Sequence, residues 1–517
     1  MLLSPLSLFS LVANRLARCS VFFIPLALGL LACGEQAKTP PAEPEVAMPS
    51  VDSESAGDAP AASADTVYAI AVLPFRNASS DPDQIYLADG LSEELLDLLA
   101  EVQSLRVVSR NSAFQFRDRN TDVAEVAESL GVAYVLQGSV RKTDADLQIA
   151  AQLVRAHDGA QLWAEEFDAS LEQIFEIQDD IANAVVAALG IELADGALRA
   201  EAVNPDAYLL WLEGRFIYAK WGEENFERAI DAYQSALRID PEYVEAWASL
   251  SVTYLSQTLS GYRELALGLA QARFAIEKAL EFDPDRPSVL ARLANIQTKF
   301  EWDWAGARET VNRALEIAPN DERVLGAAAN LANSLGQGVE ALRYREQALA
   351  LDPFNLLSLY NVAEALHRLG RLSDARTAYG KVLELDPEDW GTHTQLAIIM
   401  LQQNEPEAAW RELGLEVDPQ QQEYGRLLAL PALGREDEVA ERLKKFVEEH
   451  QSWAAYTLAS IHAWHDDPDR AFLWLDHAFE LHAAPLSQVL LEPTFVGLHE
   501  DPRWGDLLER MGLPVTD

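Results

Sequence analysis

The chain has 517 residues, which corresponds to about three folding units at roughly 150 residues per domain. It carries 83 acidic and 40 basic side chains, a formal net charge of -43, yet 49% of its residues are hydrophobic, which excludes a wholly disordered chain. Such a charge also argues against a nucleic-acid partner, because phosphates are bound by lysine and arginine. Cys19 and Cys33 are the only cysteines, too few for a disulfide framework or a four-cysteine zinc site.

Residues 1–32 have the order of an export signal. Two arginines precede the apolar run VFFIPLALGLLA at 21–32, and a basic region before a short apolar run is typical of secretory signals. The run has about a dozen residues, whereas a membrane-spanning helix needs about 20. The sequence LLAC at 30–33 resembles the bacterial lipobox, which implies a lipoprotein signal peptide cleaved before a lipidated Cys33. An uncleaved anchor or a plain signal peptide with an incidental cysteine are the alternatives.

Residues 33–65 are predicted to form a disordered tether. They are rich in proline, alanine, serine and acidic residues and contain almost no large apolar side chain, so they cannot bury enough surface to offset the entropy of ordering. In enterobacterial lipoproteins an aspartate after the lipidated cysteine favours inner-membrane retention. Gly34 stands there instead, so the resemblance points to the periplasmic face of the outer membrane and to a membrane contact through the lipid.

Residues 66–195 are predicted to form an α/β sandwich of order βαβαβββα. The β-branched run VYAIAVLPF begins at Val67 and is followed by a helix with leucines at helical spacing. A second strand is expected at 105–109 and a second helix at about 122–130, ended by Gly131. Three runs of alternating polar and apolar residues then suit an antiparallel meander, and a helix at about 171–189 closes the unit.

The same segment resembles a known family. The phrases IAVLPFRNASSDPDQIYLADGLSEELLDLLA and AYVLQGSVRK, with the stretch through AQLWAEEFDASLEQIF, are similar to the TolB-like amino-terminal domain of FlgO-related envelope proteins. That domain also occurs, followed by repeats, in multidomain adenylate cyclases and transcriptional regulators. The resemblance implies an interaction domain and supplies no catalytic residues.

Residues 204–482 carry a proline period that is typical of tetratricopeptide repeats. Prolines at 241, 284, 319, 353, 387 and 419 are separated by 43, 35, 34, 34 and 32 residues, and a period near 34 marks this repeat. We expect an all-α superhelix of seven or eight helical hairpins, with a longer hairpin at SQTLSGYRELALG and a degenerate one at 420–450. Aspartate precedes five of the six prolines, which predicts that it caps the next helix while proline occupies the first turn.

Packing positions follow from the same period. Small residues are expected where paired helices approach and large apolar residues between repeats. The residues assigned to repeat packing are Trp247, Leu250, Tyr254, Ala272, Ala279, Pro284, Ala307, Ala314, Pro319, Ala341, Ala348, Pro353, Ala363, Ala375, Tyr379 and Pro387. Residues 483–517 are expected to cap the array, because a terminal repeat cannot leave its apolar face in water.

Motifs for catalysis are missing from the sequence. It contains no GxxxxGK[ST], GxGxxG, GxSxG or HExxH, so we expect neither an enzyme nor a cofactor. Four histidines at 462, 465, 477 and 482 lie near aspartates and could bind zinc, but ordinary polar helix faces explain them better. The acidic residues at 81, 83, 89, 93 and 94 lack the spacing of a calcium loop, so no metal site is predicted.

The sequence therefore predicts a non-enzymatic envelope lipoprotein that acts as a scaffold for proteins or peptides. Binding is expected on the concave repeat face, where aromatic residues would grip a peptide unless they serve packing; they are Trp211, Tyr218, Trp221, Trp302, Trp304 and Trp410. The negative charge favours basic partners. The alternative is a regulatory or sensory module of a signalling system related to the repeat-containing cyclases and regulators.

Overall fold

The computed structural model describes residues 68–514, apart from 103, 118–121, 144–145, 194–195, 201–202 and 451–453. The predicted signal peptide, Cys33, the whole predicted tether and its junction with the α/β domain lie outside the described residues. Within the described part of the chain, no helix is both long enough and apolar enough to cross a membrane.

The amino-terminal part contains one mixed sheet. Its strands are β1 (Tyr68–Val72), β2 (Arg76–Asn77), β3 (Leu105–Val107), β4 (Tyr134–Lys142), β5 (Asp146–Arg155) and β6 (Ala160–Ser170). The strand order is β3-β1-β4-β5-β6, with β2 paired to β4. β1 runs parallel to β3 and β4, whereas β4, β5 and β6 form the antiparallel meander that the alternating residues suggest.

Helices cover both faces of this sheet. They are α1 (Ile85–Ala100), α2 (Arg110–Phe114), α3 (Val123–Leu130) and α4 (Ile174–Ala188). α1 and α4 bury their apolar side chains against one face, while Val126, Ala127 and Leu130 of α3 pack on the other with Ala71 and Val135. The short elements β2 and α2 are additions to the order expected from the sequence, and both lie in connections too short to show a hydrophobic period.

Eight helical hairpins follow in the part of the chain that the structure describes. Their helices pair as α5 (Pro205–Ala219) with α6 (Glu223–Ile239), α7 (Val244–Leu259) with α8 (Leu265–Phe282), α9 (Pro287–Ile296) with α10 (Trp304–Ile317), α11 (Glu322–Ser334) with α12 (Gly338–Leu351), α13 (Leu356–Arg368) with α14 (Leu372–Leu385), α15 (Thr392–Gln402) with α16 (Pro406–Glu412), α17 (Pro419–Ala429) with α18 (Glu436–His450), and α19 (Ala455–Trp464) with α20 (Pro468–Glu480). The second hairpin has helices of 16 and 18 residues, so the predicted insertion lengthens both of them.

The sequence predicted that the prolines marking the period occupy the first turns of helices, but five of the six do not. They are exposed and lie in the turns between hairpins, and α9 begins three residues after Pro284. The preceding aspartate instead ends the earlier helix in an extended conformation, as Asp283 does, and its carboxylate accepts the N–H two residues later, 3.2 Å away. A turn in which the aspartate carboxylate accepts the N–H two residues later is an alternative to capping of the next helix by the same aspartate. Only Asp418 caps as expected, since α17 begins at Pro419.

The chain after the last hairpin folds back on the array. Two 3-10 segments, Ala484–Leu491 and Pro493–Leu498, lead into α21 (Pro502–Arg510). Phe495, Leu498 and Trp504 are buried against the eighth hairpin. This carboxyl-terminal segment, 484–514, therefore covers the end of the array, and it also reaches further, as described below.

Candidate functional site

The first helices of the hairpins form the inner face of the array. α5 contacts α7, α9 contacts α11, and α17 contacts both α15 and α19, while the second helices of successive hairpins do not approach each other as closely. Because successive first helices lie closer together than successive second helices, the array curves towards the first helices, which therefore lie on its concave side. This is the face on which the sequence predicted partner binding.

The α/β domain covers the beginning of this face. Leu91, Leu95 and Leu98 of α1 share one continuous core with Tyr208 and Leu212 of α5. α1 approaches closely because it has Gly90 at the contact, where an added Cβ would collide with the side chain of Leu212. The first part of the concave face is therefore occupied by the protein itself.

Carboxyl groups of α1 point into the space between the two parts. Glu93 is held by Arg110 of α2 and by Arg215 of α5. Burial raises the pKa of Glu94 to about 8, and the neighbouring charge of Asp97 adds to the effect. The pKa of Asp97 is also raised by burial, although Arg323 of α11 and Arg215 oppose the shift. Asp97 is nevertheless solvent-accessible, and both acidic and basic groups act on its carboxyl, namely Glu93 and Glu245 against Arg323 and Arg215.

A second contact fixes the α/β domain to the start of the fifth hairpin. We call it the Asp352 contact. Asp352 is 2% exposed, and its carboxylate accepts from the N–H of Ser109 at 3.2 Å, from the Ser112 hydroxyl at 2.6 Å and from the Ser109 hydroxyl. Asn355 donates to the same Ser109 hydroxyl at 3.2 Å. A loop after β3 is thus joined to a repeat 243 residues further along the chain.

The carboxyl-terminal segment closes the inner face from the other side. Trp304, at the start of α10, donates its indole N–H to the carbonyl of Met511 at 2.8 Å. Arg368, at the end of α13, lies 3.9 Å from the carboxylate of Glu492. The Leu490 side chain lies 3.5 Å from the position that a Cβ on Gly336 would occupy. The array is therefore connected to its own end at the third, fourth and fifth hairpins, which is more than the terminal cap predicted from the sequence.

A polar strip remains between these two covered regions. We call it the inner strip; its residues are Arg292, Asn295, Lys299, Asn330, Arg345 and Glu364. The guanidinium of Arg345 donates to Asn330 at 2.6 Å, and Asn330 donates to Asn295 at 2.8 Å. Lys299 belongs to a π-helical stretch, Gln297–Glu301, that extends α9; such stretches are frequent at functional sites.

Sequence reasoning missed the inner strip. Its residues on α9 recur at spacings of three and four, which places them on one helical face, and the corresponding positions on α11 and α13 lie about 35 residues later. The apolar packing positions alone do not reveal this second period, which is formed by polar residues.

The aromatic residues that the sequence offered for gripping a peptide contact the protein itself. Trp211 is buried and donates its indole N–H to the Ser249 hydroxyl at 2.9 Å. The hydroxyls of Tyr218 and Ser256 form a hydrogen bond of 2.9 Å. Trp221 packs edge-on against Phe226 with ring centroids 4.9 Å apart. Trp302 stacks on His482, with centroids 4.7 Å apart, and Trp410 lies under the guanidinium of Arg435. The structure therefore places these rings in packing roles.

The residues assigned to repeat packing fall into three groups. Most are buried, namely Leu250, Tyr254, Ala272, Ala279, Ala307, Ala314, Ala341, Ala348, Ala363, Ala375 and Tyr379. Pro284, Pro319, Pro353 and Pro387 are exposed. Trp247 is partly buried and packs edge-on against Phe274, which is 54% exposed, in an outer groove of about 540 Å³ between the first two hairpins.

The histidines and acidic residues considered for metals lie apart. His465 bonds to the carbonyl of Leu427 at 2.8 Å, and His482 stacks on Trp302. Asp89 pairs with Arg117 at 2.6 Å. In the described part of the chain, no group of three or more histidine, cysteine, aspartate or glutamate side chains is placed to hold a metal ion.

Two family models match separate parts of the chain. Residues 66–184 match the family "HilA/YgeH-like transcriptional regulator, second domain", and residues 357–389 match the tetratricopeptide repeat. The tetratricopeptide repeats predicted from the proline period are therefore confirmed. The TolB-like assignment stays a prediction, because the matching family model is a different one.

Two curated relatives match parts of the chain. "Putative adenylate cyclase 3" of Rhizobium meliloti is 36% identical over 223 residues, which is 42% of this chain and 38% of that protein. "Tetratricopeptide repeat and J domain-containing co-chaperone DNJ1" of Fusarium oxysporum is 43% identical over 82 residues, 16% of each chain. The chain thus spans well under half the length of these relatives.

Solved structures that match parts of the chain include the human IFIT1 dimer with m7Gppp-AAAA and pilF of Pseudomonas aeruginosa. The first is 17% identical with a TM-score of 0.37 and covers 60% of this chain and 78% of that one. The second is 19% identical with a TM-score of 0.33 and covers 42% and 98%.

Proposed function

We propose that the protein is a non-enzymatic lipoprotein of the cell envelope that serves as a scaffold for protein partners. The observation that carries the proposal is the eight-hairpin tetratricopeptide array, whose inner strip is left partly exposed between the α/β domain and the carboxyl-terminal segment. Repeat arrays of this kind present extended concave surfaces to partners. The export signal, the tether and Cys33 are the sequence features that support an envelope location and a lipid anchor.

Two surfaces would receive partners in this scheme. The inner strip offers charged and amide groups, and the outer groove offers Trp247 and the exposed ring of Phe274. Aromatic side chains that stay exposed beside an apolar groove are frequent anchors at protein interfaces. The TolB-like domain would contribute through its contact with the array, and the absence of a nucleic-acid partner remains part of the proposal.

A photo-crosslinking experiment tests this function. A benzoylphenylalanine residue is introduced singly at Asn330, at Phe274 and, as a control, at Val339, which is 75% exposed but outside both surfaces. Irradiated cells should yield discrete protein adducts at Asn330 or Phe274 and none at Val339. If all three positions give the same adduct pattern or none, the array does not act as a scaffold.

The alternative is a regulatory module of a signalling system. It is favoured by the identity of 36% over 223 residues to a protein named as an adenylate cyclase, and by the match of residues 66–184 to a domain of transcriptional regulators. In that case deletion of the gene should change the cellular cyclic-AMP level or a defined transcript, and reintroduction of the full chain should restore it. Unchanged levels of both would reject the alternative.

A further inference from the structure

The two edges of the mixed sheet differ in length. The strand order ends on one side with β3, which has three residues, and on the other with β6, which has 11. Proteins commonly shorten an exposed edge strand or interrupt it with proline or a bulge, because its free N–H and C=O groups pair readily with another chain. β6 contains no proline, and its register shift against β5 lies near one end, between Leu153 and Val154. From Trp163 to Ser170 the edge is therefore long and regular.

The backbone on the outer side of β6 has no partner in the described part of the chain. In an antiparallel pair, every second residue directs its N–H and C=O away from the neighbouring strand. Apart from the ladder with β5, the backbone groups of residues 161–169 form no hydrogen bond with another described residue. At the two ends, the N–H groups of Ala160 and Ser170 donate to the side chains of Asp158 and Gln173, at 3.1 and 3.3 Å. Between these ends, the donors and acceptors that one more strand would need are available.

The face of β6 towards the core offers apolar surface at this edge. Trp163 and Phe167 lie opposite buried residues of β5 and pack against the core that α1 and α4 share, but they are only partly buried. Glu165 lies between them on the same face and is exposed. The helices therefore do not cover this face as far as its edge, and a strand beside β6 would extend the apolar core.

The side chains of β6 also give its edge a negative charge. Glu166 and Asp168 are exposed on the other face of the strand, and β6 contains neither lysine nor arginine. Asp168 accepts a hydrogen bond from the neutral amide of Gln148 at 2.7 Å. Glu165 and Glu166 form no ion pair with another described residue. Like charges on adjacent strands are destabilising and opposite charges are stabilising, so this edge disfavours an acidic strand, including β6 of a second copy, and favours a basic one.

From these observations we infer that the outer edge of β6 binds an extended, basic segment of a partner protein, which adds a strand to the sheet. Main-chain hydrogen bonds would supply affinity in this mode of binding, and side chains on alternate residues would supply specificity. Lysine or arginine residues of the segment would lie opposite the three acidic residues, and its apolar residues would lie beside Trp163 and Phe167. The inference deepens the proposed scaffold function and rests on it, but it concerns a surface outside the repeat array.

Fluorescence anisotropy with the full chain in detergent tests the inference. The probe is the fluorescein-labelled peptide TKVKKTIT, designed to run antiparallel to β6 with lysines opposite the acidic residues and with valine and isoleucine beside Phe167 and Trp163. A peptide of the same composition, with its three lysines moved to one end, controls for attraction to the net charge of -43. We expect the designed peptide to bind at least tenfold more tightly than the rearranged one.

A pair of double variants tests the acidic residues of the edge. We expect E165Q/E166Q to weaken binding of the designed peptide about tenfold, as for loss of two cross-strand charge pairs. The matched control is E125Q/E128Q, because Glu125 and Glu128 are exposed on α3, which packs on the other face of the sheet. Both double variants change the net charge by the same amount, and circular dichroism checks that each is folded.

Hydrogen exchange followed by mass spectrometry shows where the peptide binds. We expect exchange in residues 161–169 to slow when the peptide is bound, because the outward N–H groups become bonded, and exchange in α3 to stay unchanged. Two further peptides carry N-methyl groups on every second residue, one in each of the two alternating frames. At least one of them should lose binding, because N-methylation removes the donors along one edge of the peptide.

Four results would overturn the inference: equal binding of the designed and rearranged peptides, equal binding by the two double variants, unchanged exchange in β6, or retained binding of both N-methylated peptides. A dimer of the chain that the peptide dissociates in analytical ultracentrifugation would instead assign the edge to a second copy, and would also overturn it. Partner adducts at Asn330 or Phe274 together with a failed peptide titration would leave the scaffold function intact and reject only the added strand.

Discussion

Replacing Asp352 with alanine should release the α/β domain from the fifth hairpin. The change removes the acceptor for the Ser109 N–H and for the hydroxyls of Ser109 and Ser112. Hydrogen bonds to a charged acceptor contribute about 1.5–3 kcal/mol each, but bonds to one carboxylate are not additive. We therefore expect the free energy of local opening to fall by about 3 kcal/mol, roughly a hundredfold loss of protection.

Hydrogen exchange followed by mass spectrometry measures this opening locally, which is preferable to a global melt in a protein of several parts. The Ala113 N–H, bonded to the Ser109 carbonyl at 3.1 Å, reports on the contact. The matched control is D386A, because Asp386 closes the same turn one repeat later, accepting the Glu388 N–H at 3.1 Å, without touching the α/β domain in the contacts described. Equal loss of protection in the two variants, or none in D352A, would refute the assigned role of the contact.

Three further predictions follow from the structure and the sequence. Gly90→Ala should destabilise the α1–α5 contact by about 1–3 kcal/mol through the collision with Leu212, whereas Gly380→Ala, with open space at its Cβ, should be neutral or stabilising; equal melting temperatures would contradict this. The pKa of Glu94 is raised from 4.5 to about 8, so folding favours its protonated form and the free energy of unfolding should fall as the pH rises from about 4.5 to 8. In urea melts, the free energy of unfolding of E94Q should depend less on pH over that range than that of the wild-type chain. Parallel pH profiles of the two proteins would contradict the assignment. Cys33→Ser should move the protein from the membrane to the soluble fraction, and unchanged fractionation would reject lipid anchoring.

The repeats were predictable because they arise from contacts within about 34 residues. The period of the prolines and the small residues such as Ala341 and Ala375 report the packing of one hairpin, and that packing is repeated. The role of the Asp-Pro pairs was predicted wrongly because one dipeptide suits both a helix start and an aspartate turn. Backbone geometry at the end of the preceding helix decides between them, as at Asp283.

The inner face was not predictable in the same way. The contact of Ser109 with Asp352 joins residues 243 apart, and that of Trp304 with Met511 joins residues 207 apart. Neither pair leaves a periodic trace in the sequence. Partner binding was accordingly expected on an open concave surface lined by aromatic residues, whereas the structure shows there a narrower strip of charged and amide side chains between two segments of the same chain.

The Asp352 contact fixes the number of hairpins that can lie between the α/β domain and the fifth hairpin. In an open repeat array, hairpins can be gained or lost because each contacts only its neighbours. Here an additional hairpin between α5 and α13 would displace Asp352 from Ser109 by the length of one repeat. Loss of a hairpin would displace it by the same amount in the opposite direction. Evolution of this chain by duplication of repeats is therefore expected to be confined to positions after the fifth hairpin, and there it must also preserve the reach from Trp304 to Met511.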